Sequence, residues 1–299
     1  MLFRSWFGFL EAEDPETTGA LLRQVEAWAA AREVRVVRGP ANPSLNESAG
    51  LLVTGFDSDP AVMMPYNPPE YETFVERAGY AEVKDLLAWT IDATLPLGAR
   101  MARIAARIRG RHGITVRPLE MRRFDRDLAH LTAIYRAAWQ DNWGFVPPTD
   151  AEIRQLAVDL RPVLDPEIAV FAEMGERVVG CAIAIPDVNQ VLKKMNGNLL
   201  PFGLWHFLRR KSIVDRARVI LLGVLPEVRH LGLYPLLVAD LFTRGAARGY
   251  RSAELSWTLE DNDEINVGIE AAGGRRTKVY RLFGREDRKS TRLNSSHRT

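Results

Sequence analysis

Two hydrophobic periods alternate along this chain, and the switches between them mark its elements. VILLGV, residues 219–224, is an apolar run with β-branched members and predicts a buried strand whose pairing Pro226 ends. Helical spacing follows across LGLYPLLVADLFTRG (231–245) up to a stop at Arg248-Gly249. AELSWTL (253–259) returns to strand alternation; Glu260, Asp261 and Asn262 offer N-caps for a helix that stops at Gly273-Gly274, and RTKVYRLF (276–283) closes as a last strand. Upstream, TVRPLE (115–120) reads as a strand, Asp125 to Asn142 and Thr149 to Leu160 as helices, and Ile168 to Met174 with Arg177 to Ile185 as a hairpin around Gly175.

The first ninety residues repeat part of this order: a helix over Asp14 to Arg32, a strand over Val34 to Arg38, a helix over Pro69 to Ala78 and a strand over Ala81 to Ile91. Glu76, Ala78, Gly79 and Lys84 match Glu270, Ala272, Gly273 and Lys278 at a constant offset of 194 residues. Ala30-Ala31-Arg32 matches Ala246-Ala247-Arg248, and Asn46 matches Asn262, at an offset of 216; the 22 residues of difference fall in the Pro/Asn-rich loop from NPSLNESAG to MMPYNPPEY. Residues 6–94 therefore read as the back half of a duplicated lobe, whose front half the chain begins too late to hold. Between the copies, LGARMARIAARIRGRH (97–112) sets Met101, Ile104 and Ile108 on one face and Arg100, Arg103, Arg107 and Arg111 on the other, an amphipathic linker helix within 95–113.

Composition narrows the class. At 299 residues, 46% hydrophobic and 26% charged, the chain has material for two domains, and no apolar run approaches the ~20 residues that span a bilayer. The single cysteine, Cys181, cannot form an internal disulfide, which fits a reducing cytoplasm. One DNA segment read on its two strands in shifted frames encodes both Leu2–Ser5 and Asp287–Ser290, and DRKSTRLNSSH resembles translated sequencing adapter, so residues 1–5 and 285–299 are expected to be extraneous and the tail disordered. Those ends hold six basic and two acidic residues. Without them the body has 34 basic and 36 acidic residues, and the formal +2 becomes −2, which removes the compositional motive for nucleic-acid binding.

The strand, turn and helix from 219 to 245 form an anion site in principle. A helix N-terminus presents unbonded N–H groups and the positive end of its dipole, Arg229 adds a permanent charge, and Gly232 brings backbone close without a Cβ. Arg229-x-x-Gly232-x-Tyr234 resembles the acyl-CoA signature of GNAT-type N-acetyltransferases, (Arg/Gln)-x-x-Gly-x-(Gly/Ala), with Tyr234 at the last small position. The resemblance covers residues 114–284 and implies a GNAT-like α/β (α+β) fold, a mixed, mostly antiparallel twisted sheet flanked by helices, preceded by a partial GNAT-like lobe.

The same resemblance implies acyl transfer from acetyl-CoA or a longer acyl-CoA to a small-molecule or peptide amine by direct attack. The Val224 N–H would donate to the thioester carbonyl, Gly223 would permit a bulge beside it, and Arg229, His230, Leu231, Gly232, Leu233 and Tyr234 would hold the pyrophosphate, with Asn262 near the cofactor. The family's leaving-group tyrosine, seven residues after such an asparagine, falls on Ile269; Tyr280 or Tyr234 would replace it, or water would protonate the thiolate. Glu254, Glu260 and Asp261 are candidate bases, Glu260 first, although each reads more readily as a solvated carboxylate or a cap.

Trp139, Trp143 and Phe145, in YRAAWQDNWGFVPPT (135–149), would floor an acceptor pocket or pack a helix corner; Trp257 would line the same cleft. PDVNQVLKKMNGNLLPFGLWHFLRRK (186–211) is long enough for a lid or an interface: Asp187 and Asn189 would touch substrate, while Leu200, Phe202, Leu204, Trp205 and Phe207 would cover a pocket or a second subunit, making a homodimer. No nucleic acid, membrane or metal is expected: the five histidines lack ligand spacing, and no Gly-x-Ser-x-Gly elbow, P-loop or dinucleotide glycine fingerprint occurs. Two rival readings remain, aminoacyl transfer from charged tRNA and a catalytically silent acyl-CoA-binding or interaction module.

Overall fold

The computed structural model describes residues 4–286 except 112, 199, 201 and 202. Residues 1–3, 287–299 and Phe202, on which parts of the expected ends and lid fall, lie outside the described residues. In chain order the elements are β1 (Arg4–Trp6), α1 (Pro15–Ala30), β2 (Val36–Gly39), β3 (Ala41–Asn42), β4 (Ser48–Ala49), β5 (Leu51–Thr54), α2 (Tyr71–Arg77) and β6 (Ala81–Asp92). There follow α3 (Ala99–Arg111), β7 (Ile114–Pro118), α4 (Phe124–Trp139), α5 (Asp150–Leu160), β8 (Ala169–Met174), β9 (Arg177–Pro186), α6 (Asn189–Met195), α7 (Gly203–Leu208) and α8 (Arg210–Ile213). The last are β10 (Arg216–Val224), a 3-10 turn Pro226–Leu231, α9 (Leu233–Ala247), β11 (Ser252–Leu259), α10 (Asp263–Ala271) and β12 (Arg275–Glu286).

Local chemistry sets the helix starts. Asp14 caps α1 by accepting from the Thr17 amide at 2.6 Å, with Pro15 at the first helical position. Thr149 and Glu152 form a reciprocal capping box at α5.

The chain divides into two units, and their boundaries differ from those the sequence suggested. The first takes residues up to 87 with 259–261 and 277 onward; the second takes 88–258 and 262–276. In the first unit, β12 pairs antiparallel with β2 and β5, and β1 lies parallel to β2. Arg4 pairs opposite Val36 and Arg285 opposite Val37, so ladder pairing runs through positions expected to be extraneous. Strand pairing is a main-chain interaction and extends past any change in side-chain character. Leu22, Val37, Leu51, Val75 and Phe283 make this unit's core. Lys278 is buried beside it, donating to the Gly55 carbonyl at 2.5 Å and to the Ser58 carbonyl and Oγ at 2.7 Å each.

The second unit is a sheet ordered β11-β10-β9-β8-β7, parallel at β10–β11 and antiparallel elsewhere, with helices on both faces. Alternate residues of β8 and β9 separate the two faces. Val170, Ala172, Val179, Ala182 and Ala184 pack with Leu236 and Leu237 of α9 and with Ala105 and Ile108 of α3, while Phe171, Cys181 and Ile183 pack with Ile134 of α4. α3 packs within the second unit, where Met101, Ala105 and Ile108, at helical spacing, are buried. Cys181 is fully buried, and burial pushes its thiol pKa up, as expected of a packed rather than a reactive cysteine.

Candidate functional site

In the second unit, β10 and β11 pair in parallel register from Arg216↔Ser252 to Val219↔Leu255. β10 then slips one residue against β9 between Val219 and Leu221, a bulge at Ile220 and not at Gly223 as expected. An inserted residue adds twist and turns a strand out of its ladder. Beyond the bulge the β9 register stays constant through Gly223↔Cys181 and Val224↔Gly180, and the Leu225 amide donates to the Val179 carbonyl at 2.9 Å. Antiparallel ladders alternate bonded and non-bonded pairs, so Leu225 and Gly223 face β9 and the Val224 N–H points the other way, past the end of the β11 register.

Gly223 has a different reason to be glycine. A Cβ there would lie 2.6 Å from Cζ3 and 3.2 Å from Cη2 of Trp139, and 3.1 Å from Cγ2 of Ile134. α4 packs its C-terminal tryptophan onto the bare strand one residue before Val224. Tyr135 sits 5.0 Å from the Trp139 ring and 5.6 Å from Phe145, centroid to centroid, and burial pushes its phenol pKa up to about 12. Trp139, Trp143 and Phe145 are each half-buried along this corner, as is Trp257 on β11.

The turn after β10 is tighter than expected. Pro226–Leu231 is 3-10, with Val228 N–H bonded to the Leu225 carbonyl at 3.1 Å and Gly232 N–H to the Arg229 carbonyl at 2.9 Å. The i to i−3 pattern turns the His230 and Leu231 amides back into the turn as well, so these three amides are no cradle. Gly232 is left-handed, φ 70° and ψ 41°, and launches α9. Leu233 and Tyr234 are the first residues of α9, where main-chain N–H groups have no intrahelical acceptor, and Pro235 in third place has no N–H at all. The anion-binding capacity therefore narrows to two amides and Arg229, whose Nη2 donates to the Ala138 carbonyl at the end of α4 at 2.9 Å. Burial pushes the Tyr234 phenol pKa up, Arg229 beside it pulls it back, and Glu264 adds to the rise.

Glu254 is nearly fully buried on β11 and accepts from Ser256 Oγ at 2.8 Å; that hydroxyl in turn accepts from Arg218 Nε at 2.8 Å, and Arg218 Nη2 donates to the Ser256 carbonyl at 3.2 Å. Arg218 stands opposite Glu254 at the last paired stretch before β10 and β11 part. The sequence reading missed Arg218 and Ser256. The signal was available as an arginine inside RARVILLGV, a strand otherwise apolar from Val219 onward.

Other candidates are placed elsewhere. Tyr280 is fully buried within the first unit, on the inward face of β12, so a proton-donor role for it has no support. Glu260 also belongs to the first unit, where it accepts from the Asp85 amide at 3.2 Å and stands 3.7 Å from Lys84 Nζ; Asp261 lies 2.8 Å from the same lysine. Glu82, Asp85 and Glu260 bring oxygens within 4.8 Å of one another, but Arg281 binds both Asp85 oxygens at 2.8 and 2.9 Å and approaches Glu82 at 3.1 Å. Asn262 caps α10 by accepting from the Ile265 amide at 3.4 Å. Asp187, expected to touch substrate, is fully buried against Arg216 at 2.5 Å and anchors the insertion to β10; its Oδ1 accepts from the main-chain amide of Asn189, which is half-buried, at 3.3 Å.

Comparison with known family models finds no match. The chain is 37% identical over 289 residues to a protein named bacterial ceramide synthase from Caulobacter vibrioides, covering 93% of this chain and 74% of that one. It is 32% identical over 288 residues to Protein YghO of Escherichia coli, covering 94% and 73%. Among solved structures, a GCN5-related N-acetyltransferase from Sphaerobacter thermophilus matches 89% of this chain and 67% of its own with a TM-score of 0.53 at 16% identity. A likeness at that identity speaks to the fold alone, and the fold is the one the strand-turn-helix signature led to expect.

Proposed function

Because the chain belongs to the family of the Caulobacter vibrioides bacterial ceramide synthase and Escherichia coli YghO, and carries the GNAT fold, we propose that it is an N-acyltransferase. Its donor is a coenzyme A thioester. Its acceptor is the amine of a long-chain amino alcohol, the chemistry that ceramide formation requires and that the first relative's name denotes. The observation that carries this reading is the Val224 N–H, turned out of the β9 ladder where β10 and β11 separate, eight residues before the left-handed Gly232.

Each residue has a task that follows from its placement. The Leu233 and Tyr234 amides at the α9 N-terminus and the Arg229 guanidinium would hold the donor's pyrophosphate. The Val224 N–H donates to the thioester carbonyl and stabilises the oxyanion that builds when the amine attacks; one such donor is worth roughly 3–4 kcal/mol of barrier. Tyr234 keeps its proton at neutral pH and delivers it to the departing thiolate. Glu254, held by Ser256 beside Arg218, is the buried carboxylate of this unit nearest in register to the parting strands; it takes a proton from the acceptor's ammonium so that the neutral amine attacks, and the proton the nitrogen sheds on acylation replaces the one Tyr234 gives the thiolate.

The test is thiol release from acyl-CoAs of graded chain length with a long-chain 2-amino-1,3-diol, with the amide product weighed by mass spectrometry. The proposal expects a new N-acyl mass and release that depends on the amine. Coenzyme A binding without release on any amine would assign the chain to the silent-module reading instead.

A further inference from the structure

The connection from β9 to β10 carries surface chemistry that acyl transfer does not use. From Val188 to Val214 there are five basic residues, Lys193, Lys194, Arg209, Arg210 and Lys211, and no acid. The whole chain carries a formal +2, so everything outside this stretch sums to −3. The connection is thus strongly basic in a molecule whose remainder sums to a slight negative charge, as is α3, which carries five arginines and no acid.

The same stretch exposes large apolar side chains. Leu192 is 51% exposed, Leu204 44%, Trp205 53% and Leu208 67%. On α7 and α8, which follow each other with one residue between, Leu204 and Leu208 are one helical turn apart, with Trp205 beside them. Arg209 and Lys211 follow Leu208 in the chain, and both are exposed. Arg209 lies 4.4 Å over the Trp205 ring, which keeps its charge at the edge of the apolar ridge. Gly203 is buried and Phe207 half-buried.

The segment is held in place at its base. Gln190 donates to Asp215 at 2.7 Å and accepts from the Asp215 amide at 3.1 Å, next to the buried Asp187–Arg216 pair. An apolar ridge of leucine and tryptophan beside lysine and arginine is the chemistry that enters the headgroup region of an anionic bilayer: apolar side chains insert, and basic ones meet lipid phosphates. A second copy of this chain would have to bring acids to this ridge.

We propose that the α6–α8 connection is a docking surface for anionic membranes. This revises the expectation of no membrane partner, which weighed only a spanning segment; among the described residues no helix is long and apolar enough to cross a bilayer. The inference rests on the segment's own residues, and binding is read without any acyl donor, so its failure and the failure of the acyl-transfer reading are separate results.

The experiment is co-flotation of the full chain with vesicles of phosphatidylcholine alone or mixed with phosphatidylglycerol. The chain should float with the mixed vesicles, weakly with phosphatidylcholine, and less as salt rises. Arg209→Gln with Lys211→Gln should lower partitioning about 30-fold, and Leu204→Ser with Leu208→Ser should lower it at unchanged lipid charge, both with unchanged thermal melting. A chain that stays with the buffer in the presence of phosphatidylglycerol overturns the proposal. So does flotation untouched by both variants, or a dimer that the leucine variant converts to monomer while flotation persists.

Discussion

Replacing Gly223 by alanine probes the junction between α4 and β10 directly. The new methyl carbon would lie 2.6 Å from Trp139 Cζ3, where ordinary contact begins near 3.4 Å, so the ring or the strand must yield by about 0.8 Å. Tyr135, whose ring centroid is 5.0 Å away, packs against the same ring. Overpacking of this kind costs about 1–3 kcal/mol, which lowers the melting temperature by roughly 2–10 °C in a domain of this size. Whatever part the strand absorbs displaces the next residue, Val224, whose N–H is assigned to the thioester carbonyl; kcat should therefore fall more than donor affinity. Trp139→Leu removes the colliding ring atoms, so the double variant should recover about 1 kcal/mol relative to the sum of the single changes. Thermal melts and thiol-release kinetics on the four proteins read both effects. A Gly223→Ala protein as stable and active as the parent, or a double variant that merely sums two losses, refutes this packing argument.

Other expectations follow from the same contacts. Gly232→Ala meets open space, with only Ile108 Cδ1 at 3.8 Å, so its cost is the left-handed backbone alone, about 1–2 kcal/mol in a denaturant melt, accompanied by weaker coenzyme A binding. Asp187→Ala strips the partner from Arg216 in a buried pair and should destabilise by roughly 3 kcal/mol without raising KM for the amine, because the pair anchors the chain and does not touch substrate. Burial opposes the ionisation of Asp127, but two hydrogen bonds from Arg117 and one from the Glu120 amide outweigh it and hold the pKa below its ordinary 3.8. That stability is present above the unfolded-state value and lost as pH falls through the lower folded one, so Asp127→Asn should flatten the acid limb of a stability-versus-pH curve below about pH 4.

The order of elements was legible because each depends on near neighbours. Apolar spacing on α3 and α9 and the helix starts at Asp14 and Thr149 are decided within a few residues. What depended on distant partners was not. Tyr280 and Glu260 read as candidates for the cleft, whereas long-range pairing places both with the first eighty-seven residues. Gly223 looked like a bulge because its real constraint, the Trp139 ring, lies 84 positions away. Asp187 read as a ligand because nothing in the sequence shows that Arg216, across the insertion, buries it. Arg218 went unread, although a charge in a buried strand demands a partner, and Ser256 beside Glu254 supplied it.

The most direct test of the account is to follow main-chain amides while a thioether analogue of acyl-CoA is titrated, by ¹H–¹⁵N correlation on selectively labelled protein. The Val224, Leu233 and Tyr234 resonances should shift together and saturate at one affinity, with His230, Leu231 and Gly232, already bonded within the turn, moving less. Saturating binding that leaves Val224 and the α9 N-terminal amides unmoved contradicts the site described here.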